Sequence, residues 1–463
     1  MTPRSTARTP TIARPSVPPR SVPPRSVPLA AAVALAAAAA AAHATAAEVV
    51  SRTSPGGIEF LHAPLARADA VSVEIAWPSV WAYTEGAVAA PFVGADLVLS
   101  GGVGDLDPAG LRDALDELGV ERAVSVRPDH VHAAFELAPE RLDEAFDLVA
   151  RALAEPALDA RRFRTVRDDF EASVVEAKGA IGTFVHDALV RLVLGDGPLG
   201  RSLSMEPASL AGDVTPEDVR RWHADTFARR GATVAVAGPV DAAAAGEAID
   251  RLFDRLPAGD VPGPVPAPDA DFSARTVLLH APEADTGAVA LFGPLPSTAD
   301  GGEIEDLLAA FALDEREGVS AILVPWTREL RALLLYAEGE PERLDRARRA
   351  LPEAYAAFVA RGPDADEIES GRDRLAGGLG RTLASPSGLA RTALESALDG
   401  REPERVRSML DVEVGGTSER GVAERLRTAW PAVEEMIEIV VSPDAGAVEG
   451  ACTVGSLDEL EGC

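Results

Sequence analysis

Hydrophobic and polar positions along the chain change their period several times, and each change predicts an element. Val71, Val73, Ile75 and Trp77 alternate with Ser72, Glu74 and Ala76, the two-residue period of a strand. Val131, Ala133, Phe135 and Leu137 repeat that period, which sets His130 and His132 on the opposite, polar face, where they read as exposed strand residues. The period then lengthens. After Glu140-Arg141-Leu142-Asp143, the residues Leu142, Phe146, Val149 and Leu153 share one helical face. Some two hundred residues later Glu342-Arg343-Leu344-Asp345 opens a comparable run. A second helix follows each of these. Phe163, Arg167, Asp168 and Phe170 in the first are matched by Ile368, Arg372, Asp373 and Leu375 in the second.

The same doubling continues downstream. Thr215-Pro216-Glu217-Asp218 supplies a capping hydroxyl, a proline at the first helical position and an acid at the third. Its counterpart begins at Thr417-Ser418-Glu419, and both lead to β-rich runs, at 233–239 and 437–443. Between the copies, the proline-rich stretch 256–268 continues neither a helix nor a central strand. The expected organisation is a lobe at 48–257, a linker at 258–271, a second lobe at 272–448 and a tail at 449–463. The expected fold class is α+β, two homologous lobes that each pack a mostly antiparallel sheet with helices.

Composition narrows the functional classes. A chain of 463 residues with 47% hydrophobic residues holds enough apolar surface for more than one core. A formal net charge of −30 argues against nucleic acid, whose phosphates need a basic footprint, and against anionic membrane surfaces. Residues 1–47 read as a cleaved signal peptide. Arg4, Arg8, Arg14, Arg20 and Arg25 precede an alanine-rich run at 29–42 that ends in Ala44-Thr45-Ala46. The run is too short and weakly apolar to span a bilayer, so a periplasmic or secreted protein with no membrane insertion after cleavage is expected. Cys452 and Cys463 are the only cysteines. In an oxidising compartment they close a small loop as a disulfide; the alternative is two free thiols near the chain end.

Three passages carry a family likeness: Gly57-Ile58-Glu59-Phe60 leading into 71–77, Gly197-Pro198-Leu199-Gly200-Arg201 through Thr215–Val219 to Ala237–Asp241, and 364–375 through 384–391. In this order they resemble the pitrilysin/insulinase family of zinc metallopeptidases, which includes the mitochondrial processing peptidase subunits. The resemblance implies an H-x-x-E-H motif on a helix after the opening strands, two imidazoles binding zinc and a glutamate activating its water. Here Phe92 and Asp96 stand at the histidine positions and Ala95 at the glutamate position. The downstream ligand position falls near Glu171 or Glu176, with Asp169 close by; an acidic helix face of this kind reads as solvated surface.

What the resemblance implies is a catalytically inactive homologue without cofactor or metal. Its expected partner is a zinc-bearing homologous peptidase subunit of similar length, and its expected ligand a peptide substrate. In two-subunit members of the family, a subunit lacking zinc ligands supplies an arginine and a tyrosine that hold peptide. The run 326–336 resembles that passage, with Arg328, Arg331 and Tyr336 as candidates. Asp314-Glu315-Arg316-Glu317-Gly318 departs from the glycine-rich pattern of many relatives there. A stand-alone peptide-binding or scaffold protein is the alternative. A third reading is an unconventional metal site built from Asp96 with Glu171 or Glu176.

Overall fold

The computed structural model describes residues 48–177, 180–260, 263, 265–316 and 319–463, and leaves the side chains of 174–177 undescribed. The signal-peptide reading of 1–47, the Glu176 carboxylate, Glu317 and Gly318 therefore lie outside the described residues. All the elements below belong to one compact unit, Ala46–Cys463.

The first half runs β1 (Val50–Thr53), β2 (Glu59–Pro64), β3 (Val71–Pro78), α1 (Ala90–Val98), α2 (Pro108–Glu117), β4 (Glu121–Val126), β5 (His130–Leu137) and α3 (Leu142–Ala154). It continues through α4 (Ala160–Ala177), α5 (Ile181–Leu194), α6 (Pro216–Thr226), β6 (Thr233–Gly238) and α7 (Ala242–Phe253). The second half runs β7 (Thr276–His280), β8 (Gly287–Leu295), α8 (Glu303–Asp314), β9 (Ser320–Pro325), β10 (Arg331–Gly339) and α9 (Leu344–Arg361). Then come α10 (Ala365–Ala384), α11 (Pro386–Leu398), α12 (Glu419–Ala429), β11 (Ile437–Ser442) and β12 (Cys452–Val454).

Each half builds a six-stranded sheet. The first has the order β1-β2-β6-β3-β5-β4 and the second β12-β7-β11-β8-β10-β9. Five strands correspond one for one. In both sheets the pairing is antiparallel from the centre to one edge, and one inner pair, β2 with β6 or β7 with β11, is parallel. The α+β expectation with two alike sheets matches this arrangement. The sixth strand differs. β1 joins β2 as an antiparallel hairpin, whereas β12 lies parallel to β7 and comes from the chain's last segment. Cys452, the first residue of β12, is bonded to Cys463, with an S–S distance of 2.01 Å and Cα atoms 5.7 Å apart.

Local sequence explains the repeated entries to the helices. Pro139-Glu140-Arg141 and Pro341-Glu342-Arg343 are both single 3-10 turns, one ahead of α3 and the other ahead of α9. Thr215 caps α6, accepting from Asp218 N while the Asp218 side chain accepts from Thr215 N at 3.0 Å. Ser418 caps α12 by accepting from Gly421 N at 3.1 Å.

The alternation of β3 sends Val71, Val73, Ile75 and Trp77 into a core with Phe146 and Val149 of α3 and Ile249 and Phe253 of α7. Trp77 is fully buried, and its indole donates to Ala228 O at 3.0 Å. The opposite face of the same strand is buried too, because α11 of the second half lies on it. Leu389, Ala390, Ala393 and Leu394 pack against Ala76, Ala235 and Ala237, whose methyl side chains admit a helix at close range. The exchange is reciprocal. Val185, Leu189 and Val193 of α5 pack on Val277, Leu279, Phe292 and Ile439 of the second sheet. Each buried leucine or valine contributes about 2 kcal/mol, so the two crossings hold the halves together more strongly than any ion pair between them.

This cover corrects the reading of His130 and His132 as exposed. They are 5% and 8% exposed. His132 Nε2 meets the Glu74 carboxylate, which Arg391 of α11 also approaches at 3.6 Å. Alternation along β5 predicts two faces but not what covers the second one.

Candidate functional site

Helix α1 and the edge strand β4 bound a groove of about 550 Å³, lined by Phe92, Asp96 and Leu99 on one side and residues 122–126 on the other. β4 pairs with β5 on its inner side and ends the sheet on its outer side. Its outward backbone N–H and C=O groups thus have no strand partner among the described residues, the arrangement that an extended peptide completes by adding a strand.

Phe92, Ala95 and Asp96, which stand at the positions of the zinc motif, line this groove. Phe92 stacks on Phe170 of α4 with ring centroids 5.4 Å apart, and Trp81 meets Phe92 edge-on at 5.4 Å. Ala95 is buried against the core. Asp96 accepts from Arg162 Nη2 at 2.8 Å, and its oxygens also accept from the Ser100 hydroxyl. Arg162 in turn donates from Nε to Ser100 Oγ at 3.0 Å. Asp169 and Glu171 are exposed, the latter beside Gly212. Among the described residues no three His, Cys, Asp or Glu side chains converge in a way that suits a metal ion. No short-range sequence signal marks Phe170 and Arg162 as partners of α1, because both lie far along the chain.

Arg328, Arg331 and Tyr336 do not come together as one group. Arg328 precedes β10 and joins the halves, donating from Nε to Asp129 at 2.8 Å, from Nη1 to Asp399 at 2.5 Å and from Nη2 to Glu395 at 3.3 Å. Burial works to raise the Asp129 carboxyl, but the hydrogen bond and charge of His130, together with Arg328, outweigh it and hold it below the usual carboxylate value. Arg331 is 6% exposed at the start of β10, donating to Asp306 at 3.3 Å and to Pro296 O at 3.1 Å. Asp306 is itself fully buried and accepts further from Arg425 and from the Trp430 indole. Tyr336 lies within β10, its hydroxyl donating to Glu338 at 2.7 Å; burial and the Glu338 charge both raise its pKa. All three polar groups are engaged by partners within the chain.

Residues 213–375 match the family model described as the peptidase M16 inactive domain. No curated protein sequence matches the chain. Among solved structures, the peptidase M16 inactive domain from Pseudomonas fluorescens superposes with a TM-score of 0.77 at 14% identity, covering 86% of this chain and 98% of that one. A protease from Helicobacter pylori gives 0.69 at 15% identity over 86% and 100% of the two chains. The first half of the periplasmic protease PqqL from Escherichia coli gives 0.67 at 14% identity over 90% and 96%, and the chain spans 50% of whole PqqL. These identities establish a shared fold. Residues 213–375 thus match the inactive domain of the peptidase M16 family, and the chain as a whole shares the fold of the M16 inactive domain from Pseudomonas fluorescens.

Proposed function

We propose that the chain is an exported, non-catalytic peptidase homologue that binds peptide and pairs with a zinc-bearing relative of similar length. The observation that carries this reading is the groove between α1 and the edge strand β4, lined by Phe92, which in turn stacks on Phe170. A phenyl ring, a methyl group and a carboxylate already held by Arg162 do not suit a zinc ion, which needs three protein donors and an open position for water. No hydrolytic step is therefore assigned to this chain. The strand edge supplies main-chain hydrogen bonds to an extended peptide, and Phe92 supplies apolar contact.

The family fold in which two such chains enclose a substrate supports the partner assignment, and the periplasmic location given for PqqL supports export. No described helix is long and apolar enough to cross a membrane. Coexpression with a zinc-bearing homologue and size-exclusion chromatography test the pairing: co-elution at micromolar concentration, with zinc in the complex and none in the isolated chain, is the expected result. Stoichiometric zinc and chelator-sensitive cleavage by the isolated chain would overturn the reading. The groove is complete within one chain, which favours stand-alone peptide binding or scaffolding as the second reading; peptide binding without co-elution decides for it.

A further inference from the structure

Residues 448–463 wrap one edge of the second sheet. Val448 packs with Leu278 and Val440 on one face of that sheet, and Val454 and Leu460 pack with Val277 and Leu279 on the other. Between these contacts β12 forms the edge strand, paired with β7 through Cys452, Thr453 and Val454. The 3-10 turns at Leu457–Gly462 follow, and Leu460 there shares a core with Val185 and Leu189 of α5. The segment is a strap that ties α5, a helix of the first half, to the second sheet.

Little besides the disulfide fixes this strap. Its ladder is three residues long. Among residues 453–463 only Val454 and Leu460 are buried. Arg191 donates to Asp458 at 3.1 Å, but Asp458 is exposed, where solvent screens the pair. Glu461 stands against Asp196, just past α5. The hydrogen bond and the repulsion between these two carboxylates both raise the Glu461 pKa, so its charged form is disfavoured in the docked strap.

Docking must also overcome the freedom that the segment regains when loose. The Cys452–Cys463 bond closes 11 residues and removes much of that freedom. Both cysteines are half-buried, and their neighbours Thr453 and Gly462 are exposed, so a dissolved thiol can reach the bond.

We propose that Cys452–Cys463 is a redox-controlled latch on this strap. One thiolate of a dithiol reductant attacks a cystine sulfur, and its second thiol resolves the mixed disulfide. The cystine bond breaks, two cysteine thiols form, and the dithiol leaves as its own disulfide, having given up two electrons and two protons. The strap then comes away from β7 and α5, and β7 becomes an open strand edge. The rest of the sheet keeps its order, because β7 is still paired with β11 on its inner side.

Hydrogen exchange of the whole chain, read by mass spectrometry, tests this with dithiothreitol as the dithiol; iodoacetamide trapping counts the thiols released. On reduction, exchange at 452–460 and along β7 is expected to quicken about thirty-fold, with β3, β8 and β10 unchanged. Reoxidation is expected to restore the slow pattern. Cys452→Ser with Cys463→Ser is expected to show the fast pattern without reductant. A bond that dithiothreitol leaves intact in the folded chain, equal exchange in both redox states, or a loss of protection that spreads through β8 and β10 would each overturn the proposal. Because none of these readouts involves zinc, peptide or a second chain, failure here leaves the subunit reading intact.

Discussion

Phe92 and Phe170 lie ring upon ring, their planes 20° from parallel, and so join the helix after the opening strands to the long helix α4. This aromatic pair holds the two helices together. Phe92→Ala is expected to destabilise the protein by about 2 kcal/mol, combining lost ring contact with partial burial. Asp96→Asn, which weakens a half-exposed ion pair with Arg162, is expected to cost less than about 1 kcal/mol. Urea unfolding of the two variants measures the order; equal losses would mean that the ion pair shares the structural role.

The junction at Arg328 makes a different prediction. Asp129 and Asp399 keep only 14% and 12% of their side-chain surface exposed, so Arg328→Ala leaves Asp399 without its cation and Asp129 with His130 alone. A loss of about 3 kcal/mol is expected. The sign of the pH effect is set by the lowered Asp129 pKa. A depressed carboxylate contributes stability above the unfolded value of about 3.9 and loses it as pH falls through the folded value. In Arg328→Ala the acid-unfolding midpoint is expected to move to higher pH, as followed by circular dichroism between neutral pH and pH 2.

His223 acts in a higher window. Burial lowers its pKa from the ordinary 6.5, while the hydrogen bond from Nε2 to Leu153 O at 2.7 Å opposes that shift. The unfolded chain therefore takes up a proton before the folded one does, and stability falls as pH drops from about 6.5 toward the folded value. His223→Gln, which keeps a donor, is expected to flatten that slope. Thermal melts at pH 7 and pH 5 give the comparison; parallel slopes in both proteins would refute it.

The C-terminal bond is expected to act locally. Cys452→Ser with Cys463→Ser removes a closure spanning 11 residues, worth about 2–3 kcal/mol by chain entropy. Since β12 is only three residues long, its release from β7 is expected to precede global unfolding. Limited proteolysis near residue 450, faster in the double variant while the main melting transition holds, is the measurement.

Much of the fold was legible because its signals are local. The alternation of β3, the repeated Pro-Glu-Arg turns and the Thr215 cap each depend on residues within a few positions of one another. What covers an element is not local. Nothing near His132 announces Arg391, and nothing near Arg331 announces Asp306 or Arg425, so a histidine read as exposed and an arginine considered for peptide contact both prove to be interior. Positions 92, 95 and 96 were legible as residue types, yet the Phe92–Phe170 stack required knowing that α4 lies across α1.

The crossed helices α5 and α11 have a bearing on how anything enters such a molecule. A clamshell that hinges at the 258–271 connection would have to strip Leu389 and Leu394 from one sheet and Val185 and Leu189 from the other, wetting two apolar surfaces at once. Breathing of that kind is closed to a chain laced through itself. The two halves therefore move as one body, and in the proposed pair the way in for a peptide lies between that body and its partner.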